Sequence, residues 1–174
     1  MLSIYVGPMF SGKTTTLINM YNINKNDHKI IIDYNIDDLN NDICGVLENH
    51  DGIKLPCIKC RNFASQEFNQ KINDASFIYI NEAQFFPDLV QFVSYMLSMN
   101  KTIYIYGLDG DYKQNKIGYI LDLIPLCDDI HKLKGKCFTC DNKSLFSKRI
   151  TNTKQQYLPD DKQYIPLCRK CFDL

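Results

Sequence analysis

The chain has 174 residues, 45% of them hydrophobic and 23% charged, which suits one principal domain with a substantial core. Lys and Arg total 20 and Asp and Glu total 20, so the strong basic excess of a protein built around a nucleic-acid backbone is missing. No apolar run approaches the roughly 18 residues that span a bilayer; eight cysteines, with no basic-then-apolar leader, indicate a reducing, cytoplasmic setting where paired cysteines hold metal.

The run Leu2-Ser3-Ile4-Tyr5-Val6 is apolar and β-prone, and Thr15 to Asn24 lacks Gly and Pro while carrying Leu17, Ile18 and Met20 at helical spacing. Between them Gly7-Pro8-Met9-Phe10-Ser11-Gly12-Lys13-Thr14 completes the G-x-x-x-x-G-K-[ST] phosphate loop in the strand-to-helix setting that the motif requires. Glycines let backbone N–H groups curl around phosphate oxygens, and the helix N-terminus adds its positive end. Lys13 is expected to reach the β/γ-phosphates and the Thr14 hydroxyl to ligate Mg²⁺.

His28 to Tyr34 reads as a second, buried strand, and residues 35–60 as a β-hairpin or excursion broken by polar turns at Asn40-Asn41 and Asp51-Gly52. A helix is expected over Ala64–Asp74, then a sheet-filling strand at Ser76–Ile80. Pro87 should open the next helix, with Leu89, Val90, Val93, Met96 and Leu97 at helical spacing. Thr102–Tyr106 is a further strand. Pro125 should end any helix in 117–127 by Ile124, and a last strand is expected at Ile130–Lys134. Alternating strands and helices imply right-handed crossovers, hence an α/β fold with a parallel sheet flanked by helices.

From Gly135 the texture changes to polar residues and two Cys-x-x-Cys pairs. The expected division is a P-loop α/β nucleotide-binding domain over 1–134 and a small zinc-binding subdomain over 135–174. Cys137, Cys140, Cys168 and Cys171 supply the four thiolates of a closed, structural Zn²⁺ site, which would pin both ends of residues 141–167. The pair Cys57/Cys60 lacks a fourth ligand even with His50 added, and is expected to be thiols without metal.

The string Ile78-Tyr79-Ile80-Asn81-Glu82-Ala83-Gln84-Phe85-Phe86, taken with the phosphate loop, resembles the cellular and poxviral type of thymidine kinase, a family distinct from the herpesviral nucleoside kinases. Leu108-Asp109-Gly110-Asp111-Tyr112, Gly118 to Leu126, Ser147-Lys148-Arg149 and Tyr164 before Cys168-Arg169-Lys170-Cys171 continue the match in order, over essentially the whole chain. The resemblance implies a RecA-like P-loop sheet, the same four zinc ligands, and a lasso loop closing over the nucleoside. It implies phosphoryl transfer from ATP to the 5′-hydroxyl of thymidine, giving dTMP for DNA-precursor salvage, with Mg²⁺ bridging the phosphates. Glu82 matches the catalytic base, and a lone carboxylate beside a phosphate loop suits that task chemically. Met9, Phe85, Leu108 and Tyr112 match positions lining the thymine pocket, Tyr164 a lasso tyrosine packed over the base, and Asp37 the acceptor of the ribose 3′-hydroxyl. A homotetramer and feedback inhibition by dTTP are implied in the same way.

Two departures stand out. Asn81 occupies the place of the family's Asp, so a neutral amide joins Thr14 at the magnesium, and binding should weaken without vanishing. Leu39 stands where the family has an arginine near the transferring phosphoryl group. The arginines here are Arg61, Arg149 and Arg169, so a lysine is the natural substitute, though the sequence names none. Competing readings are a catalytically weakened homologue that binds without efficient turnover, and a P-loop and zinc-ribbon module using the basic cluster Lys132–Arg149 on nucleic acid.

Overall fold

A computed structural model describes residues 1–36, 43–64 and 70–173. Asp37, the expected acceptor of the ribose hydroxyl, and Leu39, at the place of the family's arginine, both lie outside the described residues.

Short, nearly continuous apolar runs, buried on both faces, build the central strands of the sheet. Strands β1 (Leu2–Val6), β5 (Phe77–Ile80) and β6 (Thr102–Gly107) sit side by side with β2 (Lys29–Tyr34), β3 (Ile43–Glu48), β4 (Lys54–Cys60) and β7 (Asp129–Lys132). The order is β3-β4-β2-β5-β6-β1-β7, seven strands, parallel except for the antiparallel β3–β4 pair. Residues 43–60 thus form a hairpin, and β4 joins it to the parallel sheet beside β2.

Because side chains alternate across a strand, Leu2, Ile4, Ile78, Ile80, Ile103 and Ile105 all face one side. There they pack under α2 (Gln70–Asp74), α3 (Leu89–Ser98) and a 3₁₀ segment, Ile120–Leu126. The other side carries Ile31, Tyr79 and Tyr106 beneath Leu17 and Ile18 of α1 (Lys13–Ile23). Its aromatic positions stack in register, with Tyr5 on Tyr106 at 4.8 Å, Tyr79 on Tyr104 at 4.8 Å, and His131 on Tyr5 at 4.6 Å. Helices on both faces of a mostly parallel sheet give the expected α/β class.

Several boundaries differ from the sequence expectation. The helix α3 begins at Leu89 rather than Pro87, because Asp88 is its N-cap residue. The Asp88 carboxylate is turned away from the helix and accepts from the N–H groups of Phe63 and Ala64, each at 2.8 Å. The 3₁₀ segment runs through Pro125 to Leu126 instead of stopping by Ile124, since a proline late in a short helix forfeits only one donor. Of the helix expected over 64–74, α2 covers Gln70–Asp74, and residues 65–69 lie outside the described set. Strand β7 ends at Lys132, is exposed along its length and forms the sheet edge beside β1.

Beyond β7 lie β8 (Gly135–Lys136) and β9 (Lys143–Ser144), paired antiparallel, then β10 (Phe146–Arg149) and β11 (Tyr164–Leu167), also antiparallel, and the single turn α4 (Arg169–Phe172). This portion leans directly on the phosphate loop. A Cβ at Gly135 would sit 2.4 Å from the Phe10 carbonyl oxygen, and one at Gly7 would sit 2.5 Å from that of Leu133.

Gly118 marks the tightest approach in the fold. Its φ is +58°, and a Cβ there would lie 1.9 Å from the carbonyl oxygen of Gln84. Gly118→Ala should therefore destabilise the protein by about 3 kcal/mol, combining a left-handed alanine with a displaced backbone. Urea unfolding measures this, and an unchanged midpoint would show that the Gln84 segment yields freely.

Candidate active site

Three strand ends converge on one cleft of about 520 Å³. The phosphate loop follows β1, Asn81 and Glu82 follow β5, and Asp33 lies near the end of β2, so the cleft opens at the carboxyl edge of the parallel strands, where such sheets bind ligands. Gly12 takes φ +77° as the N-cap of α1, a conformation glycine adopts without Cβ strain, and this turns the loop into the helix. Lys13 is only 8% exposed, and its ammonium donates to the carbonyl oxygens of Pro8 at 2.8 Å and Gly7 at 3.3 Å. Burial pushes its pKa down, while Glu82 and Asp109 pull it back up.

Glu82 also sits at a positive φ, +49°, before a short 3₁₀ turn at Ala83–Phe85. Strain of that kind persists only where neighbours over-determine it, and here Gln84 does so. Its amide nitrogen donates to Glu82 Oε2 at 2.6 Å, and its Oε1 accepts from the Leu108 N–H at 3.0 Å. One buried glutamine thereby ties the carboxylate to the segment after β6. The motif string contains Gln84, but nothing in the sequence assigned it this task.

The end of the second motif is built differently from a simple acid. Asn81 is buried, and its Nδ2 donates to Asp33 Oδ1 at 2.8 Å, leaving Oδ1 of the amide as the acceptor. Asp33 Oδ2 lies 3.7 Å from the Lys59 ammonium, which reaches the same cleft from β4. Burial raises the Asp33 pKa, opposed by the Asn81 hydrogen bond and by Lys59, and the Glu82 charge raises it further. Hard oxygen donors from Thr14, Asn81, Asp33 and Glu82 therefore line one wall system, a donor set that fits Mg²⁺ carried by a triphosphate. Neither Asp33 nor Lys59 was singled out by sequence reasoning.

Met9, Leu108, Tyr112 and Tyr164 are brought together at a small cavity of about 10 Å³, adjoining the cleft and also lined by Tyr157. Phe85 lines neither this cavity nor the cleft; its ring lies edge-on to Tyr157 at 4.5 Å and against Tyr34 at 5.2 Å. Tyr157 lines both cavities and links the two groups; it lies between the cysteine pairs with no local motif to reveal it. The Met9 N–H donates to Ser147 Oγ at 2.8 Å, which fastens the phosphate loop to β10.

Arg149 organises the segment joining β10 to β11. It is 8% exposed, lies over the Tyr112 ring at 3.9 Å, and donates to the Gln155 carbonyl and, at 3.1 Å, to that of Gln156. It also donates to the Tyr164 hydroxyl, which accepts from the Leu158 N–H at 2.8 Å. Gln156 in turn donates to Asp111 Oδ2 at 3.1 Å. The segment is thus laid down over the chain that follows β6.

The sulfurs of Cys137, Cys140, Cys168 and Cys171 lie within 4.8 Å of one another, with Cys140 to Cys168 at 3.7 Å and Cys140 to Cys171 at 3.6 Å. A tetrahedron with Zn–S bonds of about 2.3 Å has edges of about 3.8 Å, so this quartet fits a structural zinc. The Cys168 N–H donates to Cys137 Sγ at 3.3 Å, which further orients a ligand. Cys57 and Cys60 are both buried, but they join the cores on opposite faces of the sheet, as residues three apart on a strand must. His50 lies in the cleft wall, its ring 5.8 Å from that of Phe10.

A strand–phosphate loop–helix unit on a mostly parallel sheet, with an acidic residue facing Lys13 across a cleft, defines a P-loop nucleotide-binding α/β protein. The family described as thymidine kinase matches residues 1–172, and the chain belongs to that family. It is 35% identical to the thymidine kinase of Variola virus over 98% of this chain and 96% of that protein. It is 34% identical to a rice thymidine kinase over 97% of this chain, spanning 65% of the rice protein's length. Thymidine kinase 1 of Dictyostelium discoideum is 32% identical over 99% of this chain and 77% of that protein. Family membership implies a kinase acting on nucleotide and thymidine substrates.

Proposed function

We propose that the protein transfers the γ-phosphate of ATP to the 5′-hydroxyl of thymidine, giving dTMP for DNA-precursor salvage in the cytoplasm. The observation that carries this reading is the placement of Glu82 and Lys13 in one cleft of about 520 Å³ whose wall also carries Met9, Leu108 and Tyr157. Backbone N–H groups in the second half of the loop Gly7–Thr14, from Phe10 onward, hold the β- and γ-phosphates, and Lys13 leaves its loop carbonyls to balance charge growing on the transferring group. Glu82, held by Gln84, accepts the proton of the 5′-hydroxyl as that oxygen attacks phosphorus. Met9, Phe85, Leu108, Tyr112, Tyr157 and Tyr164 enclose the base, and Asp37 accepts from the ribose 3′-hydroxyl. Magnesium, when bound with ATP through Thr14 and Asn81, neutralises phosphate charge and aligns the triphosphate.

In this reading residues 135–174 form the zinc-held subdomain whose loop covers the acceptor, and 1–134 the nucleotide domain. Inhibition by dTTP, reaching from the acceptor pocket across the phosphate loop, and a homotetramer belong to the same proposal. A nucleic-acid role for the basic cluster is disfavoured by its engagements: Lys132 pairs with Asp109, Lys148 donates to the Phe172 carbonyl, and Arg149 is buried. No helix among the described residues is long and apolar enough to cross a membrane.

A coupled ADP-release assay across nucleosides and magnesium concentrations tests the reading. Release should depend on added thymidine. Release without nucleoside, or none with any nucleoside despite ATP binding, would instead indicate an ATPase or a binding remnant.

A further inference from the structure

From the contacts around Asn81, we infer that Asp33 supplies the carboxylate of the magnesium–triphosphate site, with Asn81 as the residue that positions it. The inference rests on the reading of the cleft as a magnesium–ATP site and deepens it. P-loop enzymes hold the metal with the loop hydroxyl and an acidic residue at the end of a neighbouring strand. Here the second motif ends in an amide, yet a carboxylate has not left the site. The register sets Ile32 of β2 beside Ile80 of β5, and the Asn81 N–H donates to the Ile32 carbonyl at 2.8 Å. The next residue on β2 is Asp33, so its carboxyl falls against the Asn81 amide one strand over, at 2.8 Å.

Three features favour a metal role over an ordinary ion pair. Asp33 is 7% exposed and lines the cleft together with Thr14 and Lys13. Glu82, facing the same space, opposes its negative charge, and two carboxylates sharing a cleft are relieved by a cation between them and the phosphates. The positive partner, Lys59, is an incomplete counter-ion, with 32% of its side chain exposed and its ammonium 3.7 Å away. Its stem runs past Gly45, where a Cβ would meet Lys59 Cγ at 2.6 Å, so the hairpin leaves room for the lysine to lie along the cleft wall. When metal and triphosphate enter, Lys59 is placed to turn from Asp33 to a phosphate oxygen. Asn81 keeps its amide nitrogen on Asp33 throughout, which fixes the carboxylate as hydrogen-bonded outer groups fix metal ligands elsewhere.

The test uses a fluorescent mant derivative of ATP, with dissociation constants measured in saturating magnesium and in EDTA; their ratio reports the metal's contribution apart from turnover. Asp33→Asn should reduce that ratio by about 10–100-fold while leaving the EDTA value unchanged or tighter, since a negative charge near the phosphates is gone. The exchange variant Asp33→Asn/Asn81→Asp returns a carboxylate to the pair and should restore the ratio. An unchanged ratio in Asp33→Asn overturns the inference. So does a wild-type ratio near unity with ATP bound, because the metal site then adds nothing. Should Asp33→Asn bind in neither condition, the exchange variant decides, and failure to restore the ratio there also overturns it. A wild-type protein that binds no nucleotide in either condition would instead sink the kinase reading itself.

Discussion

Replacing Glu82 with Gln is expected to lower kcat by about 10²–10⁴-fold, the usual contribution of a positioned general base. The geometry makes this a clean substitution. A glutamine at position 82 retains an oxygen that accepts from Gln84 Nε2, so the link to Leu108 through Gln84 survives. Removal of charge and basicity is then the main change, and KM for thymidine and ATP should move little. Steady-state kinetics separate the two constants, and ATP binding should persist. A variant that keeps more than a tenth of wild-type kcat would show that the hydroxyl proton leaves by another route.

The second large effect concerns the cysteine quartet. Cys168→Ser should abolish binding of one zinc per chain and lower kcat/KM for thymidine by at least about 10²-fold, the scale expected when a positioning element shifts by an ångström. Cys168 is buried at the junction of β11 and α4, and it anchors the strand that carries Tyr164. With the metal absent, β10 and β11 lose their shared clamp, and the Arg149 contacts to Gln155 and Gln156 rest only on the strand pairing and on Tyr112 and Asp111. The effect should fall on the acceptor: metal-free ATP affinity belongs to the loop after β1 and should change much less. Zinc content measured after gel filtration, together with KM for each substrate, checks the claim. Full zinc occupancy in Cys168→Ser, or equal damage to both substrates, would refute it.

What was legible in the chain was local. The phosphate loop, the string around Glu82 and the two cysteine pairs are short runs whose geometry follows from turn chemistry within a few residues. The α/β class followed from alternating strand and helix patterns. What stayed hidden depends on neighbours far apart in sequence. Asp33 and Asn81 are 48 positions apart, and only the pairing of β2 with β5 brings them together. Lys59 enters the cleft because a hairpin within 35–60 places β4 next to β2, and that topology is not encoded by any motif. Tyr157 belongs to the same category, as does Asp88, whose carboxyl serves a distant loop instead of its own helix.

The segment from Ile150 to Gln163 is bracketed by the antiparallel pair β10–β11, with the zinc ligands beyond each strand. For a chain whose ends are already held, entropy grows only as the logarithm of length, about 0.6 kcal/mol for each doubling. Closure entropy therefore sets little resistance to insertions or deletions there; the resistance comes from the hydrogen bonds that Arg149, Gln156 and Tyr164 make, and every change of length redraws the wall that Tyr157 presents to the cleft. Pocket shape in this scaffold is free to drift by changes in loop length, independently of the sheet that holds the phosphates.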